Sequence, residues 1–267
     1  MVQRVDDFTG KSAVVTGGSQ GIGLAAARRL AQGGASVVIC SPNERDEQVA
    51  AELRAAGLIA DFKRADVRHA EDMRELMDFA ASRHGGIDIL ANCAGVQRYG
   101  DVTQTPEEVW DEVLGVNLKG IYLASQYAIP EMRKRGGGAI VNISSVQAYA
   151  SQKGVAAYTA SKGGINALTR AMALDHASDN IRVNVVCPAS VDTPMLRGSA
   201  DLFKGEGTQQ QTLDSWGKMH PLGRVAKGEE VAELIAFLAS DKAAFITGGD
   251  YKIDGGMLAA LGVHLPE

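Results

Sequence analysis

A chain of 267 residues, 45% of them apolar, is long enough to bury a full core and sits near the upper end for one α/β domain. Its formal net charge of −5 gives no electrostatic reason to bind nucleic acid or an anionic membrane surface. No run of about 18 apolar residues occurs, and no cationic start leads into an apolar stretch, so neither a membrane span nor a signal peptide is expected. Cys40, Cys93 and Cys187 are odd in number and widely spaced within apolar runs, which reads as reduced thiols in a cytoplasmic protein. No CxxC or HxxxH spacing occurs, so no metal site is expected.

In chain order, the β-branched run 12–16 reads as a buried strand. Thr16-Gly17-Gly18-Ser19-Gln20-Gly21-Ile22-Gly23 follows, and then a helical pattern to Gln32. Strand, glycine turn and helix form a mononucleotide-binding opening: the glycines let backbone approach a pyrophosphate, and the helix N-terminus presents free N–H groups to it. A second strand spans 36–40, and a helix over 44–56 ends at Gly57. The third strand, 59–65, leads to Asp66-Val67, and a helix spans 70–84. Residues 87–91 form the fourth strand, running into Asn92-Cys93-Ala94-Gly95. Thr105, with Glu108 three residues on, predicts a capped helix from Pro106 to Leu118, and the helical pattern continues to Lys134. A fifth strand, 139–143, ends at Ser144-Ser145; a long helix covers 155–178; a sixth strand spans 181–187 and stops at Pro188. Residues 195–224 read as irregular and polar, a helix follows over 228–240, and a last strand covers 251–253. Nearly continuous apolar strands alternating with helices predict one domain over 1–267 built on a parallel sheet covered on both faces.

The central stretch is Tyr158-Thr159-Ala160-Ser161-Lys162. On a helix, residues four apart share a face, which brings an ammonium close to a phenol. A tyrosine ordinarily titrates near ~10, and a neighbouring cation favours the phenolate. A shift of roughly two to three units would make Tyr158 a usable general base near pH 7.

Taken together, Thr16-Gly17-x3-Gly21-Ile22-Gly23, Asp66, Asn92-x-Ala94-Gly95, Asn117, Ser145, Tyr158-x3-Lys162 and Pro188-x4-Thr193 make the chain resemble the short-chain dehydrogenase/reductase family over essentially its whole length. The resemblance implies a Rossmann-like, doubly wound α/β fold of about seven strands. It also implies an NAD(P)-dependent oxidoreductase acting on CH–OH groups. Tyr158 would be the acid/base, Lys162 would lower its pKa and hold the nicotinamide ribose, and Ser145 would donate to the substrate oxygen. Asn117 would hold a water on a proton path from Lys162. Gly17, Ser19, Gln20, Gly21, Ile22 and Gly23 would cradle the pyrophosphate. Asp66 and the Val67 backbone would meet the adenine; Asn92, Ala94 and Gly95 would line the adenosine and ribose side; Pro188, Val191 and Thr193 would meet the carboxamide. Cys93 and Ala189 depart from the Asn-Asn-Ala-Gly and Pro-Gly of many members, which leaves the loop at Ala189 less defined.

Ser41 occupies the place where an NAD-preferring site carries an acid at the end of the second strand. No carboxylate there repels a 2′-phosphate, and of basic residues only Arg45 is near. The position leans to NADP, with dual use open. On the substrate side, Gln97, Arg98, Gln147, Tyr149, Gln152, Lys153, Gln209, Trp216 and His220 predict a hydrogen-bonding pocket under a lid at 195–224. That favours a hydroxylated small molecule, a sugar, polyol or sugar acid, with Arg98 and Lys153 as partners for an anionic group. The alternatives are a 3-oxoacyl-carrier-protein reductase and a non-catalytic nucleotide-binding scaffold. The family habit further implies a homotetramer, to which the tail 255–267 (Met257, Leu258, Leu261, Val263, Leu265) could contribute.

Overall fold

The structure is a computed structural model, described for residues 8–261. The first half comprises β1 (Ser12–Thr16), α1 (Gly21–Gln32), β2 (Ser36–Ser41), α2 (Glu47–Ala55), β3 (Ala60–Arg64) and α3 (Ala70–His84). β4 (Ile89–Asn92), α4 (Glu107–Leu114), α5 (Gly120–Lys134), β5 (Gly138–Ile143), α6 (Ala156–Asp175) and β6 (Ile181–Pro188) carry the chain across the sheet. β7 (Val191–Asp192), α7 (Pro194–Phe203), α8 (Gln209–Gly217), β8 (Ala226–Lys227), α9 (Gly228–Ala239) and β9 (Asp250–Ile253) complete it. Seven strands pair in the order β3-β2-β1-β4-β5-β6-β9, all parallel.

Both faces are covered. Ala26 and Leu30 of α1 and Val231 and Ile235 of α9 pack on Val15, Ile39 and Val141. On the other face, Leu76 of α3, Leu123 and Met132 of α5 and Met172 of α6 pack on Val14, Val38 and Ile140. This double cover is why β1 and β4 are buried at every position rather than at alternate ones. The chain winds outward from β1 to β3, then returns so that β4 pairs with the other edge of β1. A crevice opens at the carboxyl ends of strands where the order reverses, and ligands of such sheets bind there.

Three sequence expectations are corrected. Thr105 does not cap α4: its hydroxyl donates to the Asp101 carbonyl at 2.6 Å, and Pro106, extended at φ −61° and ψ 151°, occupies the cap position. The helical pattern from 106 to 134 is broken by a π-helical turn at Gly115–Lys119, closed by the Gly120 amide on the Gly115 carbonyl. The 195–224 segment is mostly helical, not irregular. Thr193 caps α7 through the Leu196 amide, with Pro194 at the first helical position, and Thr208 and Gln211 form a reciprocal capping box on α8. Those cap residues were visible in the sequence. Of the tail, Val263, His264 and Leu265 lie outside the described residues.

Candidate active site

The glycine turn after β1 is built for close backbone packing. Gly17 has φ +63°, and a Cβ there would stand 2.8 Å from the Ala94 Cα of the segment after β4. A Cβ on Gly23 would fall on the Gly17 carbonyl oxygen. Ser19 and Gln20 lie on the turn itself, and Ile22 faces the cavity described below. Gln20, at the N-cap of α1, makes no side-chain cap bond, and the first turn of α1 carries no acid. The N–H groups there are left for an anion, so the residues fit a dinucleotide pyrophosphate.

The residues expected along the adenosine behave differently from one another. Asp66 lies past β3, with its carboxylate bound bidentately by Arg68 at 2.6 and 3.0 Å. The Arg68 guanidinium holds that carboxyl below the usual range. Val67 is buried against Gly120. Asn92, expected to line the adenosine, instead turns its side chain into the sheet: it donates to Asn142 Oδ1 at 2.9 Å, and Asn142 donates in turn to Thr169 at 2.9 Å. This buried chain ties β4 and β5 to α6. Gly95 lies beside two of the residues expected to be catalytic, for a Cβ there would be 3.5 Å from Asn117 Oδ1 and 3.9 Å from Lys162 Nζ.

Asn117, Ser145, Tyr158 and Lys162 are brought together from the π turn, the end of β5 and α6, and all are buried. Asn117 donates to the Val96 carbonyl and to Ser161 Oγ, both at 3.0 Å, and accepts from the Val96 amide at 2.8 Å. Both its amide hydrogens are thereby used, so any water it holds must donate to one of its oxygens. Ser145 Oγ accepts from the Gln147 amide at 3.1 Å. Lys162 Nζ donates to the Ile143 carbonyl at 2.9 Å and stands 5.3 Å from the centre of the Tyr158 ring.

The electrostatics differ from expectation. Burial pushes the Tyr158 phenol up to about 12, with the Ser145 hydrogen bond acting against it. Burial likewise pushes Lys162 down to about 8, so the ammonium is still mostly charged at neutral pH. Lys162 faces the ring of Tyr158 and bonds to a carbonyl, rather than gripping the phenolic oxygen. A cation beside the ring still favours the phenolate over the phenol. In this structure burial outweighs that attraction.

A cavity of about 660 Å³ runs from Ile22 and Gly95 past Ser145, Tyr158 and Lys162 to Pro188, Val191 and Thr193. The Thr193 methyl lies 3.2 Å from where a Cβ on Gly21 would be. Ala189, where the loop was undefined, donates its amide to Ile253 at 3.2 Å and so continues the β6–β9 pairing. Gln97, Gln147, Gln152 and Trp216 line the cavity as expected. Arg98 does not: its guanidinium is committed to Glu112 at 2.7 and 2.9 Å. Lys153 is exposed outside the cavity, and Tyr149 points away to Cys187 Sγ at 3.8 Å. Gln209 of α8 is bound to Arg197 and Asp201 of α7. His220 is buried, taking the Ser190 amide on Nε2 at 3.4 Å, so Nδ1 carries the proton toward the Trp216 carbonyl. The wall also holds apolar side chains that sequence reasoning passed over: Val146, Met195, Leu196, Phe203, Met219 and Met257. Tyr99 and Phe203 meet edge to face at 4.7 Å, joining the segment after β4 to α7. Those apolar residues come from α7 and from short turns far apart in the chain, and only the fold brings them to one wall.

A parallel sheet with its order reversal between β1 and β4, an open helix N-terminus there and a buried Ser-Tyr-Lys cluster beside it define a dinucleotide-binding oxidoreductase. Comparison with known proteins agrees. The family model described as enoyl-(acyl carrier protein) reductase matches residues 17–258. The chain is 40% identical to cis-4-hydroxycyclohexanecarboxylate dehydrogenase of Sinomonas cyclohexanicum, over 94% of this chain and 98% of that one. It is 40% identical to meso-2,3-butanediol dehydrogenase of Serratia marcescens, over 96% and 97%. The ligand-free structure of Thermoplasma acidophilum aldohexose dehydrogenase superposes with a TM-score of 0.90 at 37% identity, covering 97% of this chain and 98% of the other. The chain belongs to the short-chain dehydrogenase/reductase family. It is an NAD(P)-dependent oxidoreductase acting on a secondary alcohol or ketone. Among the described residues no helix is long and apolar enough to cross a membrane.

Proposed function

We propose that this enzyme oxidises a compact, uncharged secondary alcohol, a polyol or hydroxylated ring, reversibly and with NADP in preference to NAD. The observation that carries the substrate reading is the cavity wall: of the residues lining it, only Lys162 bears a charge. Gln97, Gln147 and Gln152 offer partners to hydroxyls, while Met195, Leu196, Phe203 and Trp216 offer an apolar bed to a carbon skeleton. Amides that a substrate covers without pairing are costly, so such a site favours hydroxylated over plain hydrocarbon substrates. A carboxylate finds no free arginine there, since Arg98 is paired with Glu112.

In the oxidative direction Tyr158, as its phenolate, takes the hydroxyl proton. Ser145 donates to the same substrate oxygen and steadies charge on it. Lys162 favours the phenolate and holds the ribose, and Asn117 fixes the Val96 segment against α6. When bound, the nicotinamide supplies the hydride acceptor. The turn from Gly17 to Gly23 holds the pyrophosphate, with Asp66, Val67, Ala94 and Gly95 on the adenosine side and Pro188, Val191 and Thr193 at the carboxamide. The three cysteines are free thiols, which supports a cytoplasmic setting.

Steady-state kinetics on meso-2,3-butanediol, cyclohexane-1,2-diol and gluconate test the substrate class. The neutral diols are expected to exceed the acid in kcat/KM by at least about tenfold, or roughly 1.4 kcal/mol. A preference for the acid overturns the reading. Phe203→Ala should open the cavity end that the Tyr99 contact closes and raise kcat/KM for bulkier cyclic alcohols several-fold, leaving the small diol nearly unchanged.

We further infer assembly into a homotetramer. A groove of about 860 Å³ between α4, α5 and α6 has Leu114, Leu118, Gly164 and Leu168 in its wall, with Arg68, His69, Asp111 and Lys119 also lining it. Tyr122, 50% exposed, also lines it, and Trp110, 40% exposed, lies on α4. Exposed apolar faces of this kind mark association surfaces. Light scattering should return four times the 28.1 kDa chain mass, and a monomer at micromolar concentration would overturn the inference.

A further inference from the structure

Parallel pairing puts Ser41, the last residue of β2, beside Arg64, the last of β3. The Ser41 hydroxyl is spent within its own loop: it donates to the Asn43 carbonyl at 3.1 Å and accepts the Asn43 amide at 3.2 Å. Arg64 reaches across from β3, and its Nε donates to the Pro42 carbonyl at 3.2 Å. That bond parks the guanidinium on the β2–α2 loop, exposed to solvent.

The other basic side chains along this edge are paired. Lys63 binds Glu75, Arg68 binds Asp66, Arg54 lies by Glu47 and Arg83 by Asp61. Arg64 makes no ion pair among the described residues, and neither does Arg45, exposed on the short turn Glu44–Asp46 after the loop. Glu44 and Asp46 flank Arg45 in sequence and temper its charge. In this fold the end of β2 meets the adenosine ribose, where an acid accepts the 2′-hydroxyl or a nearby arginine accommodates a 2′-phosphate. Here the acid is missing, and an unpaired guanidinium already rests on the loop.

We propose that Arg64 is the specificity-determining residue for the cofactor: it reads the 2′-phosphate of NADP from the neighbouring strand, with Arg45 as the second cation. The proposal rests on the reading that a dinucleotide binds at the carboxyl ends of the strands. Arginine suits the task because its planar fork meets phosphate oxygens two at a time.

Calorimetric titration with NADP+ and with NAD+, on wild type, Arg64→Ala and Arg64→Lys, tests it by binding alone. Wild type is expected to bind NADP+ at least about tenfold more tightly. Arg64→Ala should lose most of that ratio through weaker NADP+ binding, with NAD+ affinity unchanged within about twofold. Arg64→Lys should recover part of it, because a point charge remains. Raised salt should weaken NADP+ binding to wild type more than to Arg64→Ala. An unchanged NADP+/NAD+ ratio in Arg64→Ala, or an NAD+ preference in wild type, overturns the proposal and leaves the dehydrogenase reading standing. Failure of wild type to bind either dinucleotide would overturn both. Retained NAD+ binding certifies that the alanine variant is folded.

Discussion

Tyr158→Phe is expected to lower kcat at least about a hundredfold while leaving dinucleotide affinity almost unchanged. The phenol is 8% exposed and shares a hydrogen bond with Ser145, so it is the one acid in the cavity placed to exchange a proton with a substrate oxygen. Positioned acid–base groups contribute typically 10²–10⁴-fold, which sets the expected loss. The ring that remains keeps its packing with Val155, Val96 and Tyr99, and the variant should melt within a degree or two of wild type. Turnover above about a hundredth of wild type would remove Tyr158 from its role. Because burial pushes the phenol up to about 12, oxidation in the wild type should quicken as pH rises through neutrality, each unit of pH enlarging the phenolate fraction.

Lys162→Met separates function from stability. Methionine roughly matches the lysine stem in length and bears no charge. Loss of the cation should cut kcat by about two orders of magnitude, weaken dinucleotide binding, and shift the rising limb of the oxidative pH profile upward. Stability should move the other way. Folding pushes Lys162 down to about 8 from the ordinary ~10.4, so its burial penalty is fully present below pH 8 and lifts as pH rises to about 10.4. The variant should therefore be more stable than wild type at pH 7, by a few kcal/mol at most, since the Ile143 carbonyl loses its donor in exchange. Above about pH 10.4 the advantage should vanish. Melting temperatures of both proteins at pH 7 and pH 10.5 decide the matter, and a variant as active as wild type would overturn the assignment.

The apolar strand runs, the glycine turn and the i, i+4 spacing of Tyr158 and Lys162 were all legible in the sequence, because each is a local pattern that the backbone enforces. What escaped depends on pairing at a distance. Arg98 looked available to an anion, and nothing in its neighbourhood reveals that Glu112, fourteen residues on, takes two of its three nitrogens. Asn92 looked like a ligand contact until strand register set it beside Asn142. Arg64 went unnoticed for the same reason: it stands 23 positions after Ser41 and becomes its neighbour only through the β2–β3 ladder. The lid helices could have been found from Thr193-Pro194 and from Thr208 with Gln211, whose capping chemistry is local.

The π turn at Gly115–Lys119 has a consequence for how this chain can change. Such a turn holds one residue more than an α-helix of the same rise needs, and the surplus swings the backbone outward. Here it carries Asn117 to the Val96 segment and to Ser161. A deletion of one residue in that turn would let α4 and α5 join as an unbroken helix, both halves keeping their inward faces and their packing. The cavity wall would lose the three hydrogen bonds of Asn117, while the outer packing of α4 and α5 would be kept. At this point the length of the chain is set by the placement of Asn117, and a one-residue deletion is expected to leave a protein that still melts cooperatively with the Val96 segment unheld.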